Sequence, residues 1–318
     1  MSNMLHVSSN PHVRDKNTTS SIMLDVLIAL IPATIFGIYN AGDNALYTTA
    51  LIIATVTAAI VCEYIFQKGM KQKVTVGDFS AAVTGLLLAL NLPPTFPIWM
   101  AVIGSAFAII VVKQVFGGLG QNFMNPALAA RCFLFMSFAG HMAYFVPDGV
   151  TGATPLETLK TTGEANLLEM FIGNTYGTIG ETSVVAILIG AIYLLVKKII
   201  DFRIPLAYLL SFSVFILILG DKPFDIQYLA AHLCGGGLML GAFFMATDYV
   251  TSPITPNGKI VFGIMLGILT GIFREFSSMN EGVSFAIIFC NLLVPQIEKL
   301  TRPRPFGAVH MKKKKEGK

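Results

Sequence analysis

Leu90–Val112, LNLPPTFPIWMAVIGSAFAIIVV, followed by Gly117–Phe135, GGLGQNFMNPALAARCFLF, sets the architecture. A Pro-Pro break interrupts apolar sequence, a glycine-bearing apolar span follows, and a polar elbow with Asn125 opens another span in small residues. The same order returns in Ala246–Gly271, ATDYVTSPITPNGKIVFGIMLGILTG, and Phe273–Asn291, FREFSSMNEGVSFAIIFCN, with Asn280 at the elbow. Irregular backbone at membrane depth survives only where protein or a water-filled cavity covers it. Paired broken helices in two copies are the mark of an inverted-repeat membrane scaffold.

Working outward, apolar stretches long enough for about 30 Å of hydrocarbon recur along nearly the whole chain. The sequence predicts an all-α polytopic membrane protein with about ten spans, near 21–40, 44–66, 78–92, 95–115, 125–145, 181–199, 204–220, 226–246, 259–275 and 281–300. Five per half is odd, so the second copy enters the membrane inverted. The segments read as an N-terminal stretch at 1–20, a first repeat at 21–145, a polar loop at 146–180, a second repeat at 181–300 and a basic tail at 301–318. Only 13% of the 318 residues are charged and 54% are hydrophobic, which excludes an ordinary soluble globular domain. The polar N-terminus has no apolar h-region and predicts no cleaved signal peptide.

The net charge of +4 sits in short loops and the tail, which is a topology signal and gives no reason to expect nucleic acid. With Arg14 and Lys16 in the cytoplasm, successive crossings put Lys68, Lys71, Lys73, Lys113, Lys197, Lys198, Arg203, Arg302, Arg304 and Lys312–Lys315 on that face too. Both termini are then cytoplasmic. The 146–180 loop falls on the opposite side, and its charges are mostly acidic: Asp148, Glu157, Glu164 and Glu169 against Lys160. Arg274–Glu275, near an outer end, is the exception, expected to pair with itself or to line the interior. Cys62, Cys132, Cys234 and Cys290 each lie in an apolar segment with no CxxC pair, so the chain has no strong zinc or iron–sulfur signature.

Within the loop, Asp148–Leu156 reads DGVTGATPL. Gly152 and Ala153 leave the Thr154 hydroxyl accessible and let the backbone turn. Spacing alone favours a turn in which Thr154 caps a short helix through Leu159, with Pro155 at its first position.

This stretch also resembles the flavinylation site of the membrane family comprising the D subunit of Rnf complexes and the B subunit of the Na⁺-pumping NADH:quinone reductase. In that family the last threonine of a D-x-x-[S/T]-G-A-T pattern carries FMN through a phosphoester. Here that pattern is Asp148, Thr151, Gly152, Ala153 and Thr154. The resemblance covers nearly the whole chain: NPHVR and MLDVLIALIP at the start, GDFSAAVTGLLLALNLPP and GGLGQNFMNPALAARCF in the middle, TDYVTSPITPNGKIVFG and GVSFAIIFCN toward the end. FSSMNEG departs from it, standing where a Gly-Gly-Tyr-Pro-like turn is expected. The short N-terminus and modest length look more like the Rnf protein than its quinone-reductase relative.

The resemblance implies a urea-channel-like fold, covalent FMN at Thr154, and a second, non-covalent flavin, riboflavin, between the halves. Asn125 and Asp248 are the candidates for its polar contacts, with a structural role in holding the broken helices as the alternative. It also implies a redox-driven ion pump of the ferredoxin:NAD⁺ oxidoreductase type, moving Na⁺ or H⁺. The expected partners are other membrane and peripheral subunits, including an extracytoplasmic FMN-bearing subunit, a cytoplasmic NAD-linked flavoprotein, and a flavin transferase that loads the threonine. A channel or transporter for a small polar solute is the competing reading; it fits the repeat but has no use for DGVTGAT. Asp25, Glu63, Arg131, His232 and Asp248 lie in or beside apolar spans, where such groups often mark pathways or sites. The alternatives are helix ends in water for Asp25 and Glu63, a packed histidine for His232, and a carboxylate or backbone carbonyls as partners of Arg131.

Overall fold

In hydrocarbon a backbone must satisfy its own polar groups, and this chain does so with helices; no strand occurs among the described residues. The computed structural model describes residues 18–143, 156, 158–159, 166–173, 175–276 and 282–303. The main helices are α1 (Thr19–Asn40), α2 (Ala45–Gly69), α3 (Ser80–Leu90), α4 (Ile98–Ala106), α5 (Pro126–Ser137), α6 (Val184–Val196), α7 (Arg203–Leu219), α8 (Ile226–Cys234), α9 (Leu238–Met245), α10 (Pro256–Phe276) and α11 (Val283–Thr301). A π-helical turn, Phe107–Gln114, continues α4, and a second, Gly241–Met245, completes α9.

Local chemistry sets the helix starts. The Thr18 hydroxyl accepts from the Ser21 N–H and forms a capping box for α1. Asn125 caps α5 with Pro126 at the first position, where its missing N–H costs nothing. Ser183 and Asp225 cap α6 and α8.

Each of the ten segments expected from hydropathy carries a helix. By length and composition three are complete crossings, Thr19–Asn40, Gly42–Gly69 and Val283–Thr301, and α8 with α9 makes a fourth, bent by 64°. The α10 helix has comparable length but carries Lys259, Arg274 and Glu275. α3 is short, as the Pro93-Pro94 break requires; it has 11 residues, all of them buried. Within each half the second segment packs on the fourth, α2 on α4 and α7 on α10. The first segments of the halves meet each other, α1 on α6, and so do the last, α5 on α11.

The tightest of these contacts is α7 on α10, where Gly263, Gly267 and Gly271 lie one turn apart on one face. A Cβ on Gly267 would sit 2.6 Å from the Phe212 amide nitrogen and 2.7 Å from the Tyr208 carbonyl oxygen, and would run into the Ser211 hydroxyl. Two of these atoms are backbone and cannot move aside, so Gly267→Val forces the helices apart. It is expected to lower the thermal midpoint of the detergent-solubilised protein by the equivalent of at least the 1–3 kcal/mol usual for overpacking. An unchanged midpoint would mean that the pair separates at little cost.

Candidate functional site

Three networks of polar side chains stand out among the described residues of this bundle, and one of them borders a cavity. The cavity has a volume of about 80 Å³ and lies where the two halves meet. α1, α3, the first π turn and the start of α5 line one side of it. The ends of α6 and α9 and the segment Thr247–Val250 line the other. Asn125 and Asp248, the two residues expected to contact the non-covalent flavin, both line it, one from each half.

Asn125 is buried and largely committed to structure. Its Oδ1 accepts from the Ala127 and Leu128 N–H groups at 3.0 and 3.4 Å, and its Nδ2 donates to the Met245 carbonyl at 3.3 Å. One amide N–H remains for a ligand. Asp248 accepts from the Val250 N–H at 3.4 Å and the Thr251 hydroxyl at 3.2 Å, which leaves lone pairs of its carboxylate open. Burial pushes its carboxyl above the ordinary value, against those two bonds. Asn125 therefore has the structural role expected as the alternative, capping α5 and tying it to the π turn of α9, and it also lines the cavity.

Two further residues line the cavity that sequence reasoning does not mark as site residues, Lys113 and Ser80. The charge pattern places Lys113 among the cytoplasmic loop cations. Lys113 and Glu63 are both inside the protein, 2% and 1% exposed, as an ion pair with Nζ–Oε1 at 2.8 Å. Lys113 is therefore not a solvated loop cation, and Glu63 follows its reading as an interior polar group rather than the alternative of a helix end in water. Lys113 also donates to the Ser80 hydroxyl at 2.6 Å, and Ser80 donates to Asp78 at 2.5 Å. Gln114 Nε2 reaches the same Glu63 oxygen at 2.6 Å. Adjacent residues of a regular α-helix do not face one partner. The wider π turn, frequent at functional sites, brings both onto Glu63. Glu63 Oε2 meets no hydrogen-bond partner among the described residues.

A second network lies deeper. Arg131 Nη1 donates to Asn91 Oδ1 at 3.0 Å and to the Ser284 hydroxyl at 2.9 Å, and its Nη2 lies 3.3 Å from Glu181 Oε1. Asn91 Nδ2 donates to the Leu87 carbonyl at 2.6 Å and approaches Met245 Sδ at 3.8 Å. One arginine thereby joins the end of α3, the entry to α6 and the start of α11, meeting a carboxylate as expected and, in addition, the side-chain oxygens of Asn91 and Ser284.

The third network stitches the break between α8 and α9. Gly236 and Gly237 adopt φ +63° and +66°, which a side chain resists. Arg274 donates to the carbonyls of Gly235 at 2.8 Å, Gly236 at 3.0 Å and His232, and its guanidinium sits 5.2 Å from the Phe212 ring centroid. Glu275 accepts from Tyr228 at 3.1 Å and lies 3.7 Å from His232 Nε2. Arg274 and Glu275 thus line the interior, and His232 is packed. Leu156 closes on Gly235 and Gly236, so the glycine run serves packing. Asp25 pairs with Lys197 at 2.8 Å at a half-exposed helix end, as expected.

Asp148, Thr151, Gly152, Ala153 and Thr154 lie outside the described residues. The four cysteines are free, and no group of three or more metal-ligating side chains occurs among the described residues.

Comparison with known proteins covers the chain almost end to end. The model of the family described as NQR2, RnfD, RnfE matches residues 6–307. The D subunit of a Na⁺-translocating ferredoxin:NAD⁺ oxidoreductase complex from Acetobacterium woodii is 47% identical over 318 residues, covering 97% of each chain. The D subunit of a proton-translocating ferredoxin:NAD⁺ oxidoreductase complex from Clostridium ljungdahlii is 39% identical, covering 96% of this chain and 97% of its own. The D subunit of an ion-translocating oxidoreductase complex from Methanosarcina acetivorans is 36% identical, covering 95% and 97%.

Proposed function

This chain belongs to the NQR2, RnfD, RnfE family, and from that membership we propose how it acts as the membrane subunit of an ion-translocating ferredoxin:NAD⁺ oxidoreductase complex. Its helices are a scaffold for two flavins: FMN joined to Thr154 within the Asp148, Thr151, Gly152, Ala153 motif, and riboflavin held without a covalent bond at Asn125 and Asp248. Flavin, when bound, supplies the one- and two-electron chemistry; the protein supplies placement and tuning.

The observation that carries this reading is the meeting of Asn125 and Asp248 at one cavity from opposite halves of the chain. The lining of this cavity suits a flat ring system with polar edges, which the two halves would part to admit. Its walls are mostly apolar, with Phe243, Phe244 and Tyr249 among them, and its few polar groups offer a free amide N–H from Asn125 and open carboxylate lone pairs from Asp248. Seating a ring between the halves makes its charge felt by both. Coupling to Na⁺ or H⁺ requires two scaffold states of similar energy whose balance that charge biases. The matched helix pairings of the halves support an inverted repeat, which supplies such states by rocking. The partners proposed are an extracytoplasmic FMN-bearing subunit, a cytoplasmic NAD-linked flavoprotein and a flavin transferase. The flavin loop is proposed on the extracytoplasmic face and both termini in the cytoplasm.

The test is flavin retention. Acid precipitation of the purified complex should release non-covalent flavin from the wild type and far less from Asp248→Leu. A hydrogen bond to a charged group contributes about 1.5–3 kcal/mol, so retention should weaken roughly tenfold or more. Undiminished release from Asp248→Leu would take riboflavin out of this cavity.

A further inference from the structure

A long apolar hollow among the described residues plays no part in the flavin reading. It is a groove of about 780 Å³ along the outside of α7 and α10. Phe202, Leu206, Leu210, Val214 and Ile218 recur every four residues along α7 and form one ridge. Ile260, Ile264 and Ile268 form the facing ridge on α10. Residues at that spacing stack on one helix face, so the α7 ridge runs about 24 Å at 1.5 Å per residue. Half of a bilayer's hydrocarbon is about 15 Å thick, so the groove accepts a whole acyl chain. The α10 ridge is all isoleucine, β-branched and stiff, so that wall of the hollow holds its shape. Ser211, the one hydroxyl in its lining, donates to the Tyr208 and Gly263 carbonyls and leaves the floor apolar.

One end of the groove is charged. Arg203 lines it there, and Lys259 precedes the first residue of the α10 ridge. Both cations share a single carboxylate oxygen, Asp201 Oδ2, at 3.4 and 3.1 Å. Burial alone would raise the Asp201 carboxyl, but the Arg203 N–H and the Lys259 ammonium outweigh it and hold it below the ordinary value. Asp201 is therefore an anion at neutral pH, and two cations against one anion leave a net charge of +1. Arg203 remains two-fifths exposed. An apolar trough as long as an acyl chain, ending in unbalanced positive charge, is complementary to a lipid with a negative headgroup.

We propose that the α7–α10 groove binds an anionic phospholipid, its acyl chain along the isoleucine ridge and its phosphate at Arg203 and Lys259. One unbalanced cation at a membrane surface contributes about 1 kcal/mol, so a phospholipid bearing net negative charge should be favoured over a zwitterionic one about fivefold.

The protein has one tryptophan, Trp99, which makes a direct measurement possible. In a Trp99→Phe, Ile264→Trp full-length chain reconstituted in phosphatidylcholine vesicles, brominated phosphatidylglycerol and brominated phosphatidylcholine are compared as fluorescence quenchers. Phosphatidylglycerol should quench with about fivefold higher relative affinity, and adding Arg203→Gln and Lys259→Gln should bring the ratio to one. Equal quenching by the two lipids in the chain that keeps both cations overturns the proposal. For the assembled complex, the phosphatidylglycerol that survives purification is counted after solvent extraction, with and without the two glutamines. A drop in the substituted complex supports the site. An unchanged count overturns it and assigns the groove to a helix of another subunit.

Discussion

A Thr154→Ala chain co-expressed with a flavin transferase will give a denatured gel band with no flavin fluorescence, while the wild-type band fluoresces. A phosphoester needs an alcohol oxygen, and alanine has none, so the loss is complete rather than graded. Thr151→Ser is the control: it changes a hydroxyl residue three positions away within the [S/T] allowance of the motif, and should keep a fluorescent band. Since Thr154 falls in a polar stretch of sequence between apolar segments, its replacement should leave helix content and yield unchanged. Flavin that persists in the Thr154→Ala band would move the attachment elsewhere, and a dark wild-type band would end the covalent-flavin reading. Ferredoxin-to-NAD⁺ electron transfer by the complex should fall to background with the band.

The largest stability effect is expected at the buried pair beside the cavity. Lys113→Met leaves the Glu63 carboxylate inside the protein with only the amides of Gln114 and Gln67 for company, at 2.6 and 3.5 Å. Stranding a buried charge in this way costs about 3–5 kcal/mol, whereas replacing both members by neutral groups is often harmless. The thermal midpoint in detergent should therefore drop sharply for Lys113→Met and recover by more than half in Lys113→Met with Glu63→Gln. A double variant as unstable as the single one would show that Lys113 acts through packing of its stem rather than through its charge.

The overall architecture can be read from the chain because hydropathy reports directly on what lipid tolerates. The helices sit where the apolar stretches are, and the break at Pro93-Pro94 ends α3 as expected. The NQR2, RnfD, RnfE kinship is legible in the motifs. The polar interior is less so. Lys113 stands at the edge of an apolar run, where a loop cation and a buried ion look the same. What decides between them is Glu63, 50 residues earlier on another helix, together with a π turn that no periodicity announces. Asn125 and Asp248 stand out in the sequence for lying beside breaks, and helices from both halves bring them to one cavity. The groove on α7 and α10 is invisible there for the opposite reason: an apolar residue facing lipid and one lining a trough have the same composition.

The way Arg274 closes the α8–α9 break bears on how the protein is made. The carbonyls of Gly235 and Gly236 reach the ribosome exit 38 or more residues before the guanidinium that satisfies them. At roughly 5–20 residues per second of synthesis, that is a wait of about 2–8 s. Throughout it the kinked segment has exposed acceptors at membrane depth, where lipid offers no donors. The nascent chain must therefore shelter this segment in the insertion machinery, or leave it near water, until α10 arrives. The break between α8 and α9 is thus completed only by a residue made 38 or more positions later, so its hydrogen bonds form late in synthesis.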